Sequence, residues 1–344
     1  TVKYFGNEAH ETRRFDVARS VLETFARHVD RGMVPNRFPD EGTEPEYNNV
    51  DGTLWFVEAV RAYHEATRDD AFRRQVYPLL VEIVERHLRG TRFGIRADVD
   101  ALLSSGEPGQ QLTWMDAKVD GRVVTPRAGK PVEVQALWHN ALRVVSLYAA
   151  DLGDAFTAAR LLALADQARE SFSALFWDER IGWLADVVAP DGSRDFSLRP
   201  NQLFALSLHR PLVTGSRAAK ALKAVEEKLL TPYGLRSLDP SHPDYRGRFE
   251  GGPAERDAAY HQGTVWPWLL GPFVDAHLAV RGNNPESRRV ASAWLAPLVE
   301  HLFGPGLGQL PEVFDGDAPH RPGGCVAQAW TVGEMLRAVL KTGA

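Results

Sequence analysis

The sequence predicts an all-α fold, an (α/α)6 toroid of helix hairpins. Three observations predict it: apolar stripes at helical spacing along most of the chain, a glycine-led motif that recurs after successive helix pairs, and long irregular loops between some pairs. Val21, Leu22, Phe25 and Val29 form the first stripe. Leu54, Val57, Val60 and Ala66 form the second, and Tyr77, Leu80, Val84 and Leu88 the third. Further helical stretches are expected at 132–151, 154–176, 198–208, 214–230, 265–281, 285–303 and 325–341. Strand-like alternation is short and local, as in Trp183–Val188. Without linkers or low-complexity tracts, residues 1–344 read as a single domain.

The recurring motif is a glycine, an apolar residue and a short extended stretch. Copies begin at Gly32, Gly94, Gly182, Gly234 and Gly308. Glycine suits a helix end because it tolerates positive φ. Stacked hairpins bury faces that one hairpin leaves bare, and closing the ring gives every hairpin two neighbours. Long loops at 99–131, 231–264 and 304–324 then crowd one mouth; they argue against an open superhelix of the same hairpins.

Composition removes several classes of function. A net charge of −5 leaves no basic surplus for nucleic acid or an anionic membrane surface. No apolar run approaches the roughly 20 residues of a membrane span. One cysteine, Cys325, rules out a disulfide within the chain and favours a reducing, cytoplasmic setting. With no Cys/His cluster and no phosphate-binding glycine loop, neither metal nor cofactor is expected. Oligomeric state is left open.

Chemistry concentrates in loops rich in aromatics and acids. These are Gln111–Lys118, His261–Trp268, Leu310–Asp317 and the run Glu44–Phe56 that leads into a helix. Trp266 and Trp268 flank Pro267, and Trp114 stands two residues before Asp116, in loops rather than inside apolar stripes. Flat aromatic faces suit the apolar C–H faces of sugar rings. Glycoside hydrolysis needs one protonated carboxyl and one ionised carboxyl. Asp116, flanked by Trp and Met, and Glu312, between Pro and Val-Phe, both sit where desolvation can raise a carboxyl pKa. Their residue context does not decide which is acid and which is base. Asp51 reads equally as a cap for a helix beginning near Thr53.

From about Phe15 to its end the chain resembles the C-terminal domain of bacterial and archaeal glycogen debranching enzymes, amylo-α-1,6-glucosidases. The resemblance is carried by Pro35–Asp40, Tyr47–Phe56, Gly106–Lys118, Thr125–Asn140, Arg199–Gln202, Gly251–Trp268 and Glu312–Trp330, all in one order. It implies that Asp116 is the general acid and Glu312 the general base. It also implies inversion, with glucose released from single-glucose α-1,6 branch stubs of glycogen or limit dextrin. The partner is then a branched α-glucan. Trp114, Trp266 and Trp268 are expected to stack on glucose or shape its pocket. Lys118, Arg127, His261 and Gln262 are candidates for hydroxyl binding, as are Tyr47 and Asp51. Lys118 stands two residues after the proposed acid, where a close ammonium opposes that role.

The resemblance fails at one place. The family carries an upstream Asp-Trp-Gly-Arg-Asp stretch, and nothing in Thr1–Glu11 matches it. Five motif copies rather than six suggest the same thing, that the first helix pair is missing and that residues 1–11 are a poorly matching start. Weak or absent activity of the chain alone is the expectation. Other readings are a related inverting (α/α)6 glucosidase acting on α-1,4 glucosides or trehalose, and an inactive glucan-binding domain.

Overall fold

The structure is a computed structural model, and it describes residues 14–40, 44–107 and 109–343. Eleven α-helices occur among these residues, with short strands between them. The chain is therefore mostly helical but not purely so. Four small antiparallel sheets amend the all-α expectation.

Helix α1 (Phe15–Arg27) turns Ala18 and Leu22 inward and places Asp16 and Arg27 at its dipole-favoured ends. α2 (Asp51–Thr67) and α3 (Asp70–Arg89) form a tight hairpin. Arg68 adopts the left-handed conformation at the end of α2, and the Asp69 side chain accepts the Phe72 N–H at 2.9 Å to start α3. Beyond α3, β1 (Arg96–Ala97) pairs with β2 (Leu103–Ser104). β3 (Lys118–Val119) and β4 (Arg122–Val123) form a hairpin through Asp120 and Gly121, both at positive φ, as a two-residue Asp-Gly turn requires.

β5 (Lys130–Pro131) leads into α4 (Val132–Asp151), which packs against α5 (Ala155–Phe176). Sixteen of the 20 residues of α4 are buried, so it runs through the protein's interior rather than over its surface. β6 (Val187–Val188) and β7 (Arg194–Asp195) complete a three-stranded sheet with β5. The helix expected at 198–208 is shorter: a 3-10 turn at Pro200–Leu203 and a four-residue helix, α6 (Phe204–Ser207). Proline at the first position suits the tight start, and the helix ends before Leu208, whose backbone is extended shortly before Pro211. α7 (Gly215–Lys228) follows.

β8 (Leu230–Thr231) and β9 (Gly234–Arg236) precede α8 (Pro253–Tyr260), and β10 (Val265–Trp266) precedes α9 (Leu270–Arg281) and α10 (Pro285–Phe303). The expected helix at 265–281 therefore begins five residues late, after a strand and the 3-10 turn Pro267–Leu269. Asn284 and Ser287 form a reciprocal capping box at the start of α10. β11 (Val313–Phe314) and β12 (Pro322–Gly323) lead to α11 (Ala329–Thr342).

The last five strands join as one antiparallel sheet in the order β12-β11-β10-β9-β8. Val265 stands opposite Phe314, so this sheet sets the Glu312 loop beside Trp266. All five motif glycines have positive φ. At Gly234 the need is also steric: a Cβ there would lie 2.6 Å from the Trp266 carbonyl oxygen, across the β9–β10 pairing. The extended residues form strands after Gly94 and Gly234, and isolated bridges at Met33 and Leu184 after Gly32 and Gly182.

Candidate active site

A cavity of about 400 Å³ brings together Asp51, Trp114, Asp116, His261, Trp266, Trp268 and Glu312. Asn49, Trp55, Thr113, Glu133, Phe204, Tyr260, Gln328 and Trp330 share its lining. Four carboxyls face it, and no lysine or arginine is among the described residues that line it. A second cavity of about 460 Å³ shares Trp55 and Phe204 but is lined by paired charges, among them Glu58 with Arg61 and Asp275 with Arg337. It contains neither Asp116 nor Glu312.

Asp116 sits on the loop before β3, and its carboxyl is open to the cavity. Crowding by the concave wall strips bulk water without covering the atoms. That desolvation is the main reason its pKa is raised; Asp257 and Glu312 add to it, while its own backbone N–H and Lys118 oppose it.

Glu312 is buried and held from both sides. Gln328 Nε2 donates to Oε1 and the Cys325 backbone N–H donates to Oε2, each at 3.0 Å. The backbone closes the same loop, since Glu312 N–H donates to the Cys325 carbonyl at 2.9 Å. Burial, then a hydrogen bond to Glu312, raises the Tyr260 phenol.

Asp51 does not serve as the cap of the following turn. The helix begins at Asp51 itself, and Asn49 Oδ1 accepts the Thr53 N–H at 3.2 Å. The Asp51 carboxyl instead accepts N–H groups of Gly52 at 2.8 Å and Trp114 at 2.9 Å. Burial lifts it to about 6 against those two donors, and Asp116 adds to the rise.

The aromatic walls support one another. Trp114 meets Trp266, Trp268 and His261 edge-on at 5.2–5.4 Å between ring centres, and Trp268 stacks on Trp330 at 5.5 Å. Trp114 Nε1 donates to Asn201 Oδ1 at 2.8 Å, and Asn201 Nδ2 donates to Asp186 Oδ1 at 2.8 Å. Trp266 and Trp268 are buried, so they shape the cavity; Trp55, Trp114 and Trp330 keep more free surface. The His261 imidazole is buried, stacked on Trp266, and pushed well below its ordinary pKa, first by burial and then by Arg199 and Arg127.

Four of the expected site residues lie outside this lining. Tyr47 donates its hydroxyl to the His28 carbonyl at 2.8 Å under the Arg92 guanidinium. Lys118 is exposed on β3. Arg127 is buried behind the wall, donating to Glu133 Oε2 at 2.6 Å and lying 3.4 Å from Asp186. Gln262 Oε1 accepts from Arg199 at 2.6 Å. Tyr260, Gln328, Glu133, Trp55 and Trp330 were not singled out from sequence. All five lie inside the segments that carry the family resemblance, which was the faint signal for them. The start Thr1–Glu11 lies outside the described residues. Among the described residues no cluster of His, Cys, Asp and Glu is arranged to hold a metal, and no helix is long and apolar enough to cross a membrane.

Paired carboxyls facing an aromatic-walled cavity on a helical frame define a domain of the glycoside-hydrolase type. More narrowly, the chain belongs to the amylo-α-1,6-glucosidase family, whose profile matches residues 9–337. It is 27% identical to the glycogen debranching enzyme of Saccharomyces cerevisiae, covering 77% of this chain and 23% of that one. It is 29% identical to solabiose phosphorylase of Paenibacillus borealis, covering 68% of this chain and 31% of that one. The chain thus spans less than a third of these relatives' length. Two solved structures share its fold. A rhamnosidase of family GH78 from Bacillus sp. GL1 matches with TM-score 0.63 at 18% identity, over 97% of this chain and 31% of that one. An uncharacterized conserved protein from Thermus thermophilus matches with TM-score 0.69 at 16% identity, over 98% of this chain and 91% of that one.

Proposed function

We propose that this domain hydrolyses α-1,6-glucosidic branch stubs of glycogen or limit dextrin with inversion, releasing glucose. One observation carries the reading: Asp116 and Glu312 face the same aromatic-walled cavity. Asp116, its proton retained by crowding and by neighbouring carboxyls, donates to the departing sugar oxygen. Glu312, its plane set by Gln328 and the Cys325 N–H, takes a proton from the attacking water. Trp114, with Trp55 and Trp330, offers apolar surface to the sugar, and the helix hairpins are those of an (α/α)6 toroid around the site, with its first helix pair lacking. Inversion requires room for water, so a bound substrate analogue should find the two carboxyls about 6.5–9.5 Å apart.

The phosphorylase relative raises a second reading, attack by phosphate. Four carboxyls with no lining lysine or arginine disfavour an anionic attacker and favour water. A panel of limit dextrin, maltose, isomaltose and trehalose, run with and without inorganic phosphate, separates the readings. Glucose from limit dextrin, unchanged by phosphate, is the result expected of the intact, full-length protein. Preference for maltose or trehalose would shift the assignment to a related glucosidase. Glucose 1-phosphate would make it a phosphorylase, and tight glucan binding without turnover a binding domain.

A further inference from the structure

Three polar side chains in the cavity wall are buried without a hydrogen-bond partner among the described residues. They are Glu133 at Oε1, Thr113 at Oγ1 and His261 at both ring nitrogens. Glu133 is 1% exposed at the first turn of α4. Its Oε2 is occupied by Arg127 at 2.6 Å, but Arg127 also serves the Asp186 carbonyl at 3.2 Å and lies 3.4 Å from its carboxylate. A buried polar atom left bare costs stability, so three such groups in one cavity point to a ligand that satisfies them.

The chemistry of the set narrows that ligand. Glu133 Oε1 accepts, the Thr113 hydroxyl donates and accepts, and neutral His261 has one N–H and one lone pair. A mixed set matches hydroxyl groups, which also do both; a bound cation would leave the donors unused. Burial raises the Glu133 carboxyl, with Asp186 and Asp51 adding to the effect and Arg127 opposing it, so the group itself can also carry a proton to donate.

We propose that Glu133 is a specificity-determining residue of the site, its Oε1 bonding one hydroxyl of the bound glucosyl ring while Thr113 and His261 take others. The inference rests on the glucosyl substrate of the reading above. It goes beyond the acid and base pair, and it assigns a binding role to a residue otherwise read as half of an ion pair with Arg127.

The test pairs one substitution with altered substrates. Hydrolysis of α-glucosyl fluoride and of its four monodeoxy analogues is measured for the intact, full-length wild-type protein and for its Glu133→Met variant. The expected loss of kcat/KM on the parent fluoride is roughly 10- to 100-fold, the worth of one bond to a buried partner. On the single analogue that lacks the partner hydroxyl, the same substitution should cost almost nothing. A uniform loss on all five substrates would mean a purely structural role and overturn the proposal, as would no loss on any. Should melting show that Glu133→Met does not fold, Arg127→Met/Glu133→Met removes both charges together and is read the same way. An intact, full-length wild-type protein that neither hydrolyses the parent fluoride nor binds glucose removes the glucosyl premise itself, an outcome distinct from a uniform loss.

Discussion

The Asp51 carboxyl accepts the backbone N–H of Trp114 at 2.9 Å, tying the first turn of α2 to the loop that carries Asp116. Sixty-three residues separate the two partners. The tie holds the proposed acid at a set height in the cavity, and it explains how a residue outside the acid and base pair can matter to catalysis.

That tie is expected to show in stability against pH. Burial raises Asp51 from 3.8 to about 6, so the folded state binds its proton more tightly than the unfolded chain does. Its contribution therefore falls as pH climbs from about 4 to about 6, by an amount on the order of 2–3 kcal/mol. Asp51→Asn removes the titration. Urea unfolding should find this variant gaining stability relative to wild type across that window and levelling off above it. A constant difference from pH 4 to 7 would contradict the buried, raised carboxyl.

The acid and the base separate by leaving group. Asp116→Asn should abolish hydrolysis of α-1,6 branches yet keep much more activity on α-glucosyl fluoride, since fluoride departs with little protonation. Glu312→Gln should lose both, because water must be activated whichever group leaves, with losses on the order of 10²–10⁴-fold. The reverse pattern would exchange the two roles.

Neighbouring charges should move the alkaline limb of the pH profile of kcat/KM, where Asp116 loses its proton. Lys118 lowers the Asp116 pKa and Asp257 raises it. Lys118→Met should therefore shift the limb to higher pH, and Asp257→Asn to lower pH. Limbs that stay in place in both variants would assign the alkaline ionisation to another group.

Local signals account for what the sequence disclosed. Helical stripes recur every three to four residues, and the motif glycines mark positive φ wherever they occur. Asp116 and Glu312 stood out because Trp, Met and Pro flank them. The five-stranded sheet was not legible. Its strands are two or three residues long, and β9, β10 and β11 lie tens of residues apart. Gln328 reaches Glu312 across a 16-residue separation that holds β11 and β12, a spacing that follows no local rule. Glu133 was lost inside an apolar helical stripe, since a buried acid announces itself only through its partner, and Arg127 sits before the helix begins. The helix expected at 198–208 failed for a related reason: apolar periodicity runs through a 3-10 turn, a four-residue helix and the extended Leu208 alike, so it does not mark where the helix stops.

Proton NMR of the first glucose released from limit dextrin tests the central claim most directly. With Asp116 as acid and Glu312 activating water on the opposite face of the ring, the sugar must leave as β-glucose, seen before mutarotation scrambles it. Release of α-glucose first would contradict inversion and with it the assigned roles of both carboxyls.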